Sequence, residues 1–424
     1  MDKIDKKAIS ISKRLRGKIS VKPKIKIRSF DDFSLLYTPG VAAVSKAISE
    51  DHSKARLLTY KWNAVAIVTD GTRVLGLGNI GPDAAMPVME GKALLFKHLG
   101  GVDAIPITLG TTSLEGIVDA VKAIAPSFSG INLEDIESPK SFAILERLQS
   151  ELSIPVWHDD NQGTAAVTLA ALTNALKLVN KSIREIKLTM FGAGTAGLSI
   201  LRLLSQYGLD KRNAIVIDSK GVLHKGRSDA SDLKTSNPHK YELLDSTNKY
   251  NATEIEEAVS GSDVIIAASA SKPGLIKTEW LRRMASDPIV FALANPQPEV
   301  SQEEAKQANV RIFATGRSDW PNQVNNSMVF PGVFRGVLDV GARRITDTMA
   351  IAAAKELAKY AEEKGLSDTY IIPKMDEREA FCRVAAGVGV QACSEGIAST
   401  CASYEELYDM AEQMIAKGRY KAKK

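Results

Sequence analysis

Two pairs of acidic residues carry the first chemical signal. Glu134 and Asp135 close the apolar run FSGINL, and Asp159 and Asp160 follow the run IPVW. Four carboxylates gathered in a cleft repel one another strongly. A divalent cation removes that conflict, and an all-oxygen ligand set favours Mg²⁺ or Mn²⁺ over zinc. In extended chain, neighbouring side chains point to opposite faces. One of Asp159 and Asp160 then faces the cation while the other meets a second partner; spacing alone does not say which. The competing reading is helix capping. Acids are favourable at a helix start, and these two lead into the alanine-rich run GTAAVTLAALTNALKLV.

A second signal is FGAGTAG, with Gly192, Gly194 and Gly197 in G-x-G-x-x-G spacing between a strand-like run and a helix-like one. Glycine permits the tight turn, and the missing side chain at the second position lets a pyrophosphate reach the backbone. Thr195 and Ala196 then sit at a helix N-terminus, whose free N–H groups attract anions. Asp218 ends the next strand-like run, AIVID, where an acid binds the ribose hydroxyls of NAD. Lys220, two residues on, attracts a 2′-phosphate, so NADP stays open beside NAD. The stretch GLGNIG, at Gly76, Gly78 and Gly81, repeats the spacing. No acid ends the strand that follows it, and Pro82 comes at once, so it reads as a glycine-rich connection.

These residues need a frame. From Ala64 the runs AVAIVT, AIPITL, FSGINL and IPVW alternate with helix-like runs such as AAMPVMEGKALLFKHL. That alternation predicts a parallel sheet covered on both faces. One helix joins FSGINL to IPVW, so their acid-bearing ends lie on one side of the sheet, where ligands bind in open α/β folds. A second series starts at Ile186, and after about Arg343 the chain turns helical. The fold class is α/β, with two α/β domains. The second is a Rossmann-type, doubly wound parallel sheet, and a helical C-terminal extension follows. The expected divisions are 1–157 for substrate and metal, 158–343 for the dinucleotide and 344–424 for the extension.

The chain has 424 residues, more than one core accommodates. Its net charge of +5 is mild, with basic runs KPKIKIR and KGRYKAKK near the ends. They lack aromatic interleaving and any recognition motif, so solvated tails are expected and no nucleic-acid partner. No apolar run approaches the roughly 18 residues that span a bilayer. The first residues lack the apolar core of a secretion signal, and a cytoplasmic location is expected. The three cysteines, Cys382, Cys393 and Cys401, are odd in number and form no C-x-x-C pair. Neither zinc nor a disulfide framework is expected from them; they are taken as buried or idle thiols.

Seven stretches then occur in order: LLYTPGVAAV, TDGTRVLGLGNIGPDAAMPVMEGKALLFK, INLEDI, HDDNQGTAAV, GAGTAG, ANPQPEV and NNSMVFPGVFRG. Together, from about Lys22 to Gly341, they resemble the malic enzymes, decarboxylating malate dehydrogenases, in their short prokaryotic form. The resemblance implies metal-dependent oxidation and decarboxylation of (S)-malate to pyruvate and CO₂, with reduction of NAD or NADP, in a homodimer or homotetramer. It implies Tyr37 as general acid and Lys92 as general base. It implies Glu134, Asp135 and Asp160 as metal ligands, with Asp159 beside the lysine. Arg73 resembles an arginine that holds a malate carboxylate. Asn295 and Asn325 resemble substrate-binding asparagines, the first also facing the cofactor. A lysine serves as base only if its ammonium form is disfavoured. A nearby cation does this to Lys92, and Asp159 opposes it.

Taken singly, each of these residues has a bland role. Tyr37 is a half-buried turn aromatic, Lys92 snorkels to solvent and Arg73 is a surface charge, while the asparagines satisfy loop backbone. Two rival functions stand beside the main one. The first is malolactic conversion, with NAD retained and lactate released. The second is a catalytically silent nucleotide-binding regulator, which predicts loss of an acid, base or ligand; none is lost.

Overall fold

The computed structural model describes residues 3–74, 76–269 and 272–419. Among these, ten strands form two sheets. The first contains β1 (Ala64–Thr69), β2 (Asp103–Thr108), β3 (Gly130–Leu133) and β4 (Val156–His158), in the order β2-β1-β3-β4. All its pairings are parallel. Strands β1, β3 and β4 are buried along their whole length, as a parallel sheet covered on both faces requires. The register sets the chemistry. Leu133 pairs with His158 and Val68 pairs with Leu133. Asp70, Glu134 and Asp159 therefore leave the sheet at one edge.

The second sheet runs β10-β9-β8-β5-β6-β7. Its strands are β5 (Leu188–Phe191), β6 (Ala214–Asp218), β7 (Gly221–Val222), β8 (Val264–Ala267), β9 (Ile289–Ala292) and β10 (Ile312–Thr315). All pair in parallel except the short edge strand β7, which turns back antiparallel onto β6. The chain leaves β5 toward β6 and later returns to its other side with β8. That reversal of winding opens a crevice beyond the carboxyl end of β5, where nucleotides bind in doubly wound folds.

Helix Thr164–Leu178 joins the sheets. Its small apolar residues are buried on nearly every side, and the Asn174 amide ties it to the carbonyls of Ala358 and Ile371, both at 2.9 Å. Helix Gly81–Gly100 begins with Pro82 and stops at Gly101, whose φ of +65° suits glycine. The C-terminal helices brace it. A side chain at Gly101 would strike the Met414 carbonyl, and one at Gly336 would strike that of Ala385. Helices Arg378–Ser394 and Tyr404–Gly418 can therefore approach the rest of the molecule backbone to backbone.

The cysteine expectation is corrected in part. Cys382 is a buried free thiol, but Cys393 and Cys401 form a disulfide, with Cα atoms 5.6 Å apart. The two flank the turn between packed helices, within the usual Cα range for a bridge. Their separation of eight residues matches no motif that would announce it. Among the described residues no helix is long and apolar enough to cross a membrane. The basic run KGRYKAKK lies mostly outside the described residues.

Candidate active site

Glu134, Asp135 and Asp160 each offer one carboxylate oxygen to a common point, and these atoms lie within 4.8 Å of one another. Asp135 is held with φ +53°, and its backbone N–H donates to Asp160 Oδ2 at 2.9 Å. That left-handed turn brings the end of β3 against the end of β4. Residues Asp159–Gly163 form one π-helical turn rather than extended chain. The opposite-faces premise drawn from sequence is therefore replaced by a helical one, yet the two aspartates still diverge. Asp160 joins the carboxylate cluster. Asp159 is fully buried and turns to Lys92 Nζ, 2.5 Å from its Oδ2. The indole N–H of Trp157 donates to Oδ1 of Asp159 at 3.0 Å. A Cβ on Gly163 would collide with that same oxygen, so glycine is needed there.

Lys92 does not snorkel. It is 9% exposed, with Nζ 2.6 Å from Glu134 Oε1 and 4.5 Å from the centre of the Phe330 ring. Burial alone would lower its pKa, but Asp159, Glu134 and Asp160 outweigh burial and hold the ammonium well above its ordinary value. Burial also pushes the Glu134 carboxyl well above the ordinary range. Lys92 opposes that rise, and Asp160, Asp159 and Asp135 add to it. One ammonium does not balance these carboxylates. His158 adds no charge, because burial draws its pKa down to about 4. The residues therefore fit a dication: hard oxygen donors, closely set, with Glu134 and Asp135 buried and Asp160 partly open to the cavity.

The glycine turn has the shape its spacing predicts. Gly192 has φ +107°, and a side chain there would strike the Ala268 carbonyl. One at Gly197 would strike the Gly192 carbonyl, whereas Gly194 has open space where a Cβ would point. Asp218, at the end of β6, accepts the Lys220 N–H at 2.9 Å, the Arg227 guanidinium at 2.9 Å and Lys240 Nζ at 3.0 Å. Burial would raise its pKa, but these donors outweigh it and hold Asp218 below the usual carboxylate range.

A cavity of about 480 Å³ lies between the two sheet ends. Arg73, Lys92, Glu134, Asp135 and Asp160 line one wall; Gly194, Thr195, Ala196, Asn295 and Asn325 line the other. Two matches cover most of the sequence: the malic enzyme N-terminal domain over residues 16–149, and the malic enzyme NAD binding domain over residues 161–393. The chain belongs to the malic enzyme family. It is 49% identical to an NAD-dependent malic enzyme of Geobacillus stearothermophilus, over 92% of this chain and 81% of that one. It is 45% identical to the bifunctional malic/malolactic enzyme of Bacillus subtilis, over 97% and 98%. A crystal structure of Entamoeba histolytica malic enzyme superposes with a TM-score of 0.95 at 43% identity, covering 98% of this chain and 87% of that one.

Within this malic-enzyme fold five predicted site residues are absent from the cavity wall: Tyr37, Asp159, Gly192, Gly197 and Asp218. Tyr37 is 71% exposed rather than half-buried. Other residues not singled out from sequence shape the site. Glu299, fully buried, receives the N–H and hydroxyl of Ser269 and the N–H of Ala294, at 2.9, 3.0 and 3.2 Å. It thereby ties together two loops of the cofactor wall. Lys140 Nζ pairs with buried Asp70 at 2.7 Å. Glu299 stands inside the quoted run ANPQPEV, and a lone acid beside valine is the only sign of it. Asp70 and Lys140 lie far apart in sequence and leave no such sign.

Proposed function

We propose that this chain oxidises (S)-malate and removes its β-carboxylate, yielding pyruvate and CO₂ while NAD or NADP is reduced. One observation carries the reading: a buried lysine and three convergent carboxylates open into the same cavity as the nucleotide-binding turn. In the reaction Lys92 takes the C2 hydroxyl proton as hydride leaves C2 for the nicotinamide. Arg73 binds a substrate carboxylate, and Asn295 and Asn325 orient the substrate against the cofactor. Glu134, Asp135 and Asp160 would hold a divalent cation, which when bound would supply Lewis acidity to the substrate during decarboxylation. Glu134 links the two tasks, because it belongs to the ligand cluster and also touches Lys92. With Glu134 held to such an ion, Lys92 would keep one carboxylate fewer and its proton would be easier to give up. Asp159 keeps the amine aimed. Tyr37 protonates C3, and the proton gained by Lys92 restores the tyrosine.

Both nicotinamide cofactors are accepted in this reading. Asp218 is already engaged by Arg227 and Lys240, so it repels a 2′-phosphate less than a free acid would. The test is a spectrophotometric assay with malate, Mn²⁺ and either NAD or NADP. Accumulation of reduced cofactor with one pyruvate per turnover is expected. The bifunctional Bacillus subtilis relative favours a second activity, malolactic conversion. Lactate formed with no free reduced cofactor would replace the main reading with that one.

A further inference from the structure

Asp70 leaves the first sheet at the same edge as Glu134 and Asp159, yet it does not line the cavity. Its carboxylate is fully buried and bound on both oxygens. Oδ1 accepts the Thr72 N–H at 3.1 Å and the Thr72 hydroxyl at 2.7 Å, while Oδ2 lies 2.7 Å from Lys140 Nζ. Lys140 opens helix Lys140–Glu151. Its ammonium also donates to the Thr112 carbonyl at 2.9 Å and stands 3.1 Å from Glu137 Oε1.

These contacts close a frame around two residues of the cavity wall. The Thr72 hydroxyl accepts the Glu137 N–H at 3.0 Å, and the Arg73 N–H donates to the Asp135 carbonyl at 3.0 Å. The Gly71 carbonyl accepts the N–H groups of Ile80 and Gly81, each at 3.2 Å, where the Lys92 helix begins. A Cβ on Gly71 would strike the Gly81 carbonyl, so glycine lets these segments meet. A buried ion pair adds little net stability over well-packed apolar side chains. What this one adds is geometry.

We propose that Asp70 and Lys140 are positioning residues for the reaction: their pair sets the distance from Arg73 to the cluster of Glu134, Asp135 and Asp160. It thereby fixes where a substrate carboxylate lies relative to the ligand oxygens. Lys140 acts through Asp70, and Asp70 acts through Thr72. Thr72 passes the constraint to Arg73 along the chain and to Glu137 through its hydroxyl. Misplacing a reacting group by about 1 Å can cost about 10²-fold in rate, so such a frame matters although it touches neither substrate nor cofactor. The inference rests on the malic-enzyme reading above, in which Arg73 binds malate and the carboxylates hold a dication.

Two variants of one residue test it. Lys140→Met removes the ammonium and keeps the stem, whereas Lys140→Arg keeps the charge. In Lys140→Met the KM for malate should rise about tenfold, roughly one charge-assisted hydrogen bond, with a smaller fall in kcat. The Kd for Mn²⁺, read by electron paramagnetic resonance, should rise with it, while the Kd for NAD stays unchanged. Lys140→Arg should restore both the malate KM and the Mn²⁺ Kd. A mere structural prop would lower kcat and melting temperature together and leave that KM and Kd alone. That result would overturn the proposal, as would failure of the arginine to restore them. If Lys140→Met does not fold, Thr72→Val removes the hydroxyl at the other end of the frame. The same two rises are expected there, and their absence would overturn the proposal. Manganese binding needs no turnover. If wild type forms no pyruvate, yet its Mn²⁺ Kd weakens in Lys140→Met and recovers in Lys140→Arg, the reaction is wrong and the frame stands.

Discussion

The carboxylate centre and the ribose edge both place acid at the carboxyl end of a parallel strand, yet their charge balances differ. At the first, Glu134 and Asp159 share the Lys92 ammonium, with Asp135 and Asp160 beside them. At the second, Asp218 and Asp229 face Arg227, Lys220 and Lys240. The pKa directions follow. Burial pushes Glu134 up, whereas donors that outweigh burial hold Asp218 down. The residual charge of each polar cluster thus sets the sign of the group it would favour: positive at the carboxylates, negative at the ribose edge.

The largest expected effect is at Lys92. Lys92→Ala should lower kcat by roughly 10²–10⁴, the usual worth of a positioned acid–base group. The Kd for NAD, followed by fluorescence, should change little, because the ribose edge is a separate cluster. A variant with kcat near wild type would remove Lys92 from the reaction.

Manganese comes next. At about one hundred times its Kd, a ligand stabilises the folded chain by about 2.7 kcal/mol. That gain should appear as a rise in melting temperature and vanish in Asp160→Asn. The pH dependence distinguishes the two clusters. In the metal-free chain Glu134 has a raised folded pKa, so its contribution to stability is present below the ordinary carboxyl pKa and lost as pH rises through the raised value. Asp218 is the reverse: its contribution is present above the ordinary pKa and lost as pH falls through the lowered value. Lowering pH from neutral should therefore shrink the manganese shift first, while the ribose edge stays intact into more acid solution. A manganese shift constant down to pH 4 would contradict the charge surplus assigned to the carboxylates.

Some of this was legible from residue order, and the reasons are physical. Glu134, Asp135 and the pair Asp159–Asp160 were visible because strand-helix alternation fixes which strand ends share an edge, and acids there are conspicuous. The Gly192 turn was visible because its glycines answer to backbone collisions that scarcely vary between proteins. The different orientations of Asp159 and Asp160 came from family likeness, since residue order does not announce the π-helical turn that separates them. Arg227, Lys240 and Glu299 were missed because their contacts join segments that no periodicity relates. The disulfide between Cys393 and Cys401 was missed likewise, as it depends on how two helices meet. The exposure of Tyr37 lay beyond reach because sequence patterning does not say which apolar residues stay outside the core.

The ribose edge offers the finest test. If its positive balance is what tolerates a 2′-phosphate, the balance should be adjustable in both directions. Arg227→Ala removes a cation and leaves Lys240 to hold Asp218; the ratio of kcat/KM for NADP over NAD should fall roughly tenfold, about one charge-assisted hydrogen bond. Asp218→Asn removes an anion and loosens both cations, so the ratio should rise by a smaller factor, mainly through weaker NAD binding. Equal changes for both cofactors in both variants would mean that the cluster only supports β6 and does not read the ribose. Opposite changes would show cofactor choice following the local sum of charge, the same quantity that calls for a dication at the other sheet.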